Sequence, residues 1–166
     1  MIEKQGPRRV TITWDDPGPL AQASRTLSGL EFLRAIRDGR LPPPPMAALL
    51  GFTLTEAEPG RVVFEVLPAE QHYNPIGVVH GGLAMTMLDS AMACGVHTQL
   101  PAGTGYTSLE VKVNLVRAIT PGAGRLRAIG IVVHPGKRVA TAEGRIEDAA
   151  GKLYAHGTTT CMIFAE

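Results

Sequence analysis

Residues 72–93 read HYNPIGVVHGGLAMTMLDSAMA and join a polar turn to a long apolar helix. An Asn-Pro pair marks the turn, a His-Gly-Gly triplet marks the start of the helix, and a single carboxylate, Asp89, follows inside the apolar run. Burying a lone carboxylate among apolar side chains is costly unless it is paired or hydrogen-bonded. A helix that only filled a core would have little reason to carry it. The stretch therefore indicates a functional site as well as the central element of the fold.

Strand-like segments flank this helix on both sides. Phe52–Glu58 and Arg61–Leu67 precede it and predict a hairpin, because a Glu-Pro-Gly-Arg turn joins them. Four further strands are predicted after it, separated mostly by glycine-containing turns: Tyr106–Ala118, Leu126–His134, Val139–Asp148 and Lys152–Phe164. In the first of these, Leu109, Val111, Val113 and Leu115 alternate with polar residues. This order predicts an α+β fold, an antiparallel sheet with the long helix (about residues 82–99) on its concave face.

The amino-terminal part of the chain has a different character. Prolines and glycines punctuate the first 28 or so residues, which are expected to be irregular apart from a strand-like Val10–Trp14. One helix is predicted at Gly29–Asp38, with Ser28 as its N-cap. Four consecutive prolines, residues 42–45, then form a stiff spacer.

This pattern divides the chain into an N-terminal extension, residues 1–45, and a main domain, residues 46–166, which opens with a short helix, Met46–Leu50. A length of 166 residues suits one core, and 45% hydrophobic with 19% charged residues is typical of a soluble globular protein. A net charge of +1 argues against nucleic acid or an acidic membrane surface as the main partner.

Several features bear on location and chemistry. No apolar signal segment is evident at the amino terminus and the long helix is too short to span a bilayer, so a cytoplasmic location is expected. Cys94 and Cys161 are interpreted as buried thiols. The five histidines lack the spacing of a metal site and no GxSxG elbow surrounds Ser108, so neither a metal nor a serine-hydrolase triad is predicted.

The helix is apolar nearly all round, so several of its sides must be covered. The sheet covers one side, and a second subunit is the natural cover for the rest, which predicts a homodimer. Gly81 and Asp89 lie eight residues apart, about 12 Å along a helix axis, too far to touch one carbonyl group. Two antiparallel helices in a dimer would bring Asp89 of one chain to Gly81 of the other and form two shared sites.

Four further positions have a functional and a structural interpretation. The N–H groups at Gly81 and Gly82 suit an oxyanion, or the glycines serve a tight turn. Asn74 can bind a water or a carbonyl oxygen, or open a turn, and His80 can orient the loop or act on a substrate. A turn with two cations, Gly136-Lys137-Arg138, can hold a phosphate or be a solvated hairpin tip.

The motif Asn74…His80-Gly81-Gly82…Asp89, with the strands that follow it, resembles the hotdog-fold acyl-CoA thioesterases of the phenylacetate-pathway (PaaI-like) type. The resemblance covers roughly residues 46–164. It implies a hotdog fold, in which the sheet wraps around the central helix. It also implies hydrolysis of an acyl-CoA to free acid and CoA, with a homodimer as the minimal active unit and a homotetramer as the usual assembly.

The resemblance also implies roles for individual residues. Asp89 would be the general base that activates water, or the nucleophile, and the Gly81 N–H of the partner subunit would polarise the thioester carbonyl. Asn74 and His80 would position substrate and water, and Ser108 or its neighbour Thr107 would assist the water. Gly82 and the turn at Gly136, Lys137 and Arg138 would lie near the CoA. No metal or redox cofactor is implied.

Two other functions are compatible with such a fold. A hotdog hydratase would use a histidine and an acidic residue in a different motif around the helix start, which this sequence lacks. A non-catalytic acyl-CoA-binding or sensing protein would have no need for a carboxylate facing the thioester. Hydrolysis is therefore the favoured interpretation.

Overall fold

The computed structural model describes residues 6–165. In chain order its helices and strands are α1 (Pro17–Thr26), α2 (Gly29–Arg37), α3 (Pro45–Leu50), β1 (Phe52–Glu58), β2 (Arg61–Val66), α4 (Gly81–His97), β3 (Thr104–Leu115), β4 (Leu126–His134), β5 (Val139–Asp148) and β6 (Leu153–Ala165). Two single 3₁₀ turns, Glu70–His72 and Pro121–Ala123, lie before α4 and after β3.

The six strands form one antiparallel sheet in the order β1-β2-β4-β5-β6-β3. The predicted hairpin is confirmed, with Phe52 opposite Val66 and Glu58 opposite Arg61. Strand β3 starts two residues earlier and ends three residues earlier than predicted, and it has one irregularity in its pairing with β6, between Ser108 and Glu110. This sheet and its helix are the predicted α+β hotdog architecture.

Helix α4 lies across the concave face of the sheet, where Met87, Leu88 and Met92 are fully buried. The close fit depends on two glycines that face each other across β4 and β5, Gly130 and Gly144. A Cβ atom built on Gly130 would lie 2.2 Å from the backbone carbonyl of Ala91. The helix backbone therefore rests directly on the sheet at this point, which fixes the position of α4.

The amino-terminal prediction is partly wrong. Residues 1–5 lie outside the described residues, but residues 17–26 form helix α1 instead of an irregular arm, and Val10–Trp14 is not a strand. The extension therefore holds two helices where one was predicted. Asp16 caps α1 by accepting from the Gly18 N–H at 2.9 Å. Prolines in a first helical turn lose no hydrogen bond, since N–H groups there have no helical acceptor.

The extension belongs to the same hydrophobic core as the sheet. Ser28 and Glu31 form a complete capping box at the start of α2. Leu20 of α1 and Phe32 and Leu33 of α2 are buried with the core side chains of the sheet and α4. Among residues 6–165, no helix is long and apolar enough to cross a membrane.

Candidate active site

The loop before α4 is closed by the side chain of Asn74. The side-chain Oδ1 accepts from the backbone N–H groups of Ile76 at 3.1 Å and Val78 at 3.3 Å. The backbone N–H of Asn74 donates to the Val78 carbonyl at 2.8 Å. The structural interpretation of Asn74 as a turn residue is therefore confirmed. Asn74 also borders a cavity of about 280 Å³ that reaches Gly81 and Leu115. With its oxygen used in the loop, the NH₂ group is what Asn74 can offer a ligand.

His80 is the N-cap of α4. Its ring Nδ1 accepts from the Gly82 N–H at 2.9 Å, so the ring proton is on Nε2, because a nitrogen that accepts cannot also carry the proton. The exposed side of the ring thus presents an N–H donor to solvent or substrate. The same bond occupies the Gly82 N–H, which leaves Gly82 without a free backbone donor.

Gly81 is the first residue of α4, and its N–H has no acceptor within residues 6–165. The first N–H groups of a helix have no helical partner and carry a partial positive charge. A Cβ on Gly81 would lie 2.5 Å from Leu115 Cδ1, so the helix start packs against the end of β3. This N–H is the group that we predicted from the sequence to stabilise an oxyanion.

Asp89 lies in the middle of α4 and is half-buried. Its Oδ1 accepts from the Ser108 hydroxyl at 2.9 Å, across the gap between α4 and β3. The Thr86 hydroxyl donates to the Gly82 carbonyl at 3.0 Å, so it is not the hydrogen-bond partner of Asp89 within the helix. Ser108 thus orients one carboxylate oxygen and leaves the other for water or substrate.

The irregular pairing of β3 with β6 brings Ser108, and not Thr107, to Asp89. The register shifts between Ser108 and Glu110, so Ser108 faces α4 while Leu109 is 56% exposed. Thr107 is exposed. The prediction that Leu109 shares the apolar face with Val111, Val113 and Leu115 is therefore wrong. The extra residue of a bulge turns the side chains before it to the opposite face from that which strict alternation with the residues after it predicts.

Two thiols and a phenol lie in the layer beside Asp89. Burial raises the pKa of Cys94 to about 12 and also raises the pKa of Cys161. Burial raises the pKa of Tyr106 well above its ordinary value too. Protonated thiols are poor nucleophiles, so neither cysteine is suited to attack a substrate at neutral pH.

Within one chain, Gly81 and Asp89 are held apart. Helix α4 is continuous over Gly81–His97, so eight residues separate the two along its axis, about 12 Å. Gly81 lies against Leu115 at the end of β3, whereas Asp89 lies against Ser108 near its start. The two halves of the predicted site thus occupy opposite ends of one strand, β3.

The turn at Gly136-Lys137-Arg138 connects β4 to β5. A Cβ on Gly136 would lie 2.0 Å from the Val139 carbonyl, which explains the glycine as a requirement of the tight turn. Lys137 and Arg138 are exposed. Cys161 of β6 lies opposite both Ser108 of β3 and Ala140 of β5, so Ala140, two residues after the turn, is two strands from Ser108, about 10 Å. Both cations are therefore on the Asp89 side of the same protomer.

Sequence reasoning missed a cavity of about 340 Å³ beneath α1 and α2, which is lined by His97 and Tyr106. The cavity was missed because helix α1, which forms part of its wall, was not predicted: its prolines were interpreted as helix breakers. His97 stands eight residues after Asp89 on an apolar helix, and that spacing was available in the sequence. Among the described residues, no three histidine, cysteine or acidic side chains are grouped as metal ligands.

His97 makes the stability of the fold depend on pH. Burial lowers its pKa from 6.5 to about 4, so the native state stays neutral where an unfolded chain would bind a proton. The free energy of unfolding should therefore fall as the pH drops from about 6.5 to 4, by about 3 kcal/mol from this group. Urea unfolding of wild type and His97→Asn across this range tests it. A matched change at the exposed His156 should leave the pH dependence unaltered, and an unaltered slope in His97→Asn would contradict the assignment.

Comparisons with known proteins identify the family and the fold. Residues 76–155 match the model of the Thioesterase superfamily. Human acyl-coenzyme A thioesterase 13 is 33% identical over 110 residues, which cover 65% of this chain and 76% of that protein. The 1,4-dihydroxy-2-naphthoyl-CoA hydrolase of Listeria monocytogenes is 25% identical over 114 residues, 69% of this chain and 91% of that protein.

A solved structure has the same arrangement. It is that of a thioesterase described as a phenylacetic acid degradation-related protein from Ralstonia eutropha, with a TM-score of 0.70 and 28% identity. The match covers 78% of this chain and 98% of that one. The chain therefore belongs to the thioesterase superfamily. The predicted resemblance, the hotdog fold and the assignment to thioester hydrolases are confirmed at the level of the family.

Proposed function

We propose that the protein hydrolyses acyl-CoA thioesters to a free acid and CoA, in sites shared between two subunits. The observation that carries this proposal is the Asp89 carboxylate, which is oriented by Ser108 on one oxygen within an otherwise apolar helix. The names of the human and Listeria relatives, which specify acyl-CoA and naphthoyl-CoA substrates, support the same substrate class.

In the proposed reaction, Asp89 takes a proton from water as the water oxygen adds to the thioester carbon. The carbonyl electron pair moves onto oxygen, and the Gly81 N–H of the other subunit stabilises that oxyanion. When the C=O bond reforms, the C–S bond breaks and CoA leaves as a thiolate, which takes the proton from Asp89. Alternatively, an Asp89 oxygen adds to the carbon, the C–S bond breaks and CoA leaves as a thiolate. Water then hydrolyses the resulting anhydride to the free acid and the Asp89 carboxylate, and one proton of that water goes to the thiolate. Either route needs only a carboxylate, an oxyanion donor and water, so no metal or redox cofactor is proposed.

The dimer is proposed from the open edge of the sheet. Strand β3 is the last strand of the sheet order, so within residues 6–165 the backbone on its outer side pairs with no strand, and Leu109, Val111 and Leu115 are exposed. Antiparallel pairing of two β3 strands centred on Lys112 would place Leu115 opposite Leu109, next to Ser108. Since Gly81 packs on Leu115 and Asp89 bonds Ser108, this pairing brings Gly81 of one chain to Asp89 of the other.

The remaining residues have proposed roles around this shared site. The NH₂ group of Asn74, which borders the same cavity as Gly81, and the Nε2–H of His80, the residue before Gly81, would position the thioester and the water. Lys137 and Arg138 would bind the CoA phosphates, with Gly136 allowing the turn. Gly82 would border the CoA without donating a backbone hydrogen bond. Two dimers would associate into the proposed homotetramer.

The function is tested by measuring free-thiol release from a panel of aliphatic and aromatic acyl-CoA thioesters. We expect saturable release from at least one of them by the wild-type protein. Light scattering on the same sample is expected to give a dimer or a tetramer. If acyl-CoA binds in calorimetry but no thioester in the panel is hydrolysed, the protein is an acyl-CoA sensor and the proposed function is wrong.

The sharing of sites between subunits makes a separate prediction. Gly81→Pro removes the proposed oxyanion donor, and the first helical position accepts proline because His80 is already extended, at φ −62° and ψ 134°. We expect kcat to fall about a hundredfold. Gly81→Ala places the same Cβ against the flexible end of Leu115 but keeps the N–H, so it is the matched control and should retain more activity. Co-expression of Gly81→Pro and Asp89→Asn chains should then restore activity, because a mixed dimer contains one intact site. No restoration in purified mixed dimers would show that each site belongs to one chain.

A further inference from the structure

A mainly apolar cavity lies beneath the N-terminal helices. It has a volume of about 340 Å³ and lies between α1, α2, the carboxyl-terminal half of α4 and the start of β3. Its walls are mainly apolar side chains: Leu20, Phe32, Leu33, Ile36, Leu54 and Phe64. Among the described residues, no lysine, arginine or carboxylate lines it. An anion placed there would therefore be buried without a counter-charge, which is strongly unfavourable.

This cavity adjoins the layer that holds Asp89. Tyr106 lines it and stands two residues before Ser108 on β3. Cys94, also in the lining, lies beside Tyr106, and the Asp89 carboxylate contributes to the raised pKa of both groups. Tyr106 and Cys94 thus form the boundary between the carboxylate and the cavity. An acyl group whose carbonyl lies at Asp89 can extend into the space beyond them.

His97 is the unusual member of the lining. It is 7% exposed, and its ring lies between those of Phe32, with centroids 5.5 Å apart, and Tyr106, at 4.9 Å. Neither ring nitrogen has a hydrogen-bond partner within residues 6–165. His72 Nε2 is the one described side-chain atom that is both enclosed and unpartnered, so the His97 nitrogens keep surface open to the cavity.

The surroundings of His97 hold the ring in place. A Cβ on Gly29 would lie 1.8 Å from the His97 carbonyl and 2.5 Å from its Cδ2, so the start of α2 is packed directly on this residue. A neutral imidazole offers one donor and one acceptor. A fixed, neutral, unpartnered polar group in a mainly apolar cavity favours a ligand that is mostly apolar and carries a neutral hydrogen-bonding group.

We infer that this cavity binds the acyl group of the thioester and that His97 hydrogen-bonds to a neutral hydroxyl or keto group on it. The inference rests on the proposed thioesterase function and adds the acyl class to it. Asp89 and His97 are eight residues apart on α4, about 12 Å along the axis, so the polar group lies several atoms from the thioester. Leu20 and Ser24 of α1 form part of the cavity wall, so the N-terminal extension takes part in substrate selection.

The test compares pairs of substrates that differ by one hydroxyl group. The aliphatic pair is octanoyl-CoA with omega-hydroxyoctanoyl-CoA, and the aromatic pair is cinnamoyl-CoA with para-coumaroyl-CoA. For wild type, we expect kcat/KM to be about fivefold to tenfold higher for the hydroxylated member of the pair that fits, which is the gain from one net hydrogen bond. The pair that shows the preference indicates whether the cavity binds an aliphatic or an aromatic acyl group.

The variants assign that preference to His97. His97→Phe keeps a ring between Phe32 and Tyr106. It should bring the kcat/KM ratio of the pair close to one, mainly by lowering kcat/KM for the hydroxylated substrate. His97→Asn keeps a donor and an acceptor, should retain part of the preference, and serves as the second variant if His97→Phe does not fold. His156→Phe makes the same change at an exposed position and should leave the ratio unaltered.

The outcomes separate this inference from the function on which it rests. No preference in wild type, or a preference that persists in both His97 variants, overturns the inference while hydrolysis itself stands. No hydrolysis of any of the four thioesters overturns the proposed function. In that case, calorimetric binding of the same pairs to wild type and His97→Asn still tests whether His97 recognises the hydroxyl group.

Discussion

Asp89→Asn is expected to lower kcat for thioester hydrolysis by about a thousandfold, with KM changed little. The amide has the same shape, and its oxygen can still accept from the Ser108 hydroxyl, so the fold and the local geometry should persist. What the change removes is the basic oxygen that takes a proton from water or attacks the thioester carbon. Initial rates of thiol release from the best substrate in the panel measure the effect.

Two matched changes separate chemistry from packing. Glu143→Gln neutralises an exposed carboxylate on β5, away from Asp89 and from the proposed pairing edge, and should leave kcat within twofold of wild type. Ser108→Ala should lower kcat about tenfold, because it removes one hydrogen bond that orients Asp89. If Asp89→Asn hydrolyses the thioester as fast as wild type, then Asp89 is neither base nor nucleophile, and the proposed mechanism is wrong.

The second large effect is on stability, at the contact between α4 and the sheet. Gly130→Val is expected to destabilise the protein by more than about 3 kcal/mol, since even a Cβ would lie 2.2 Å from the Ala91 carbonyl. The obstacle is helix backbone, which cannot turn aside as a flexible side chain would. Denaturant unfolding followed by circular dichroism measures the loss, and a variant that forms only insoluble protein agrees with it.

The control for this effect lies in the same contact. A Cβ on Gly95 of α4 would be 3.7 Å from the Gly130 carbonyl, an ordinary packing distance. Gly95→Ala should therefore stabilise the protein by about 0.5–1 kcal/mol through its higher helix propensity. If Gly130→Val is as stable as wild type, the glycine is not needed for the close approach of helix and sheet.

The order of strands and the central helix could be predicted because each depends on local chemistry. The Glu-Pro-Gly-Arg turn set the first hairpin, and alternation or glycine-containing turns marked the later strands. The Asp89 position was informative because a carboxylate in an apolar helix contradicts its surroundings. These signals lie within a few residues of one another and need no knowledge of the tertiary structure.

Other parts depended on contacts that the sequence does not display. Pro17 and Pro19 disfavour a helix interior but suit a first turn, and only the Asp16 cap shows that a helix starts there. The bulge at Leu109 decides that Ser108, and not Thr107, meets Asp89. The cavity around His97 exists because α1 and α2 fold back on the sheet, which no local pattern specifies.

Strand β3 also has a consequence for solubility. It presents 12 residues at an open sheet edge, with Leu109, Val111 and Leu115 exposed along it. A long apolar edge of this kind is a template on which other extended chains can add and form aggregates. A variant that prevents the proposed strand pairing is therefore expected to precipitate and not to yield a soluble monomer. Subunit assembly would then protect the chain from aggregation as well as complete its sites.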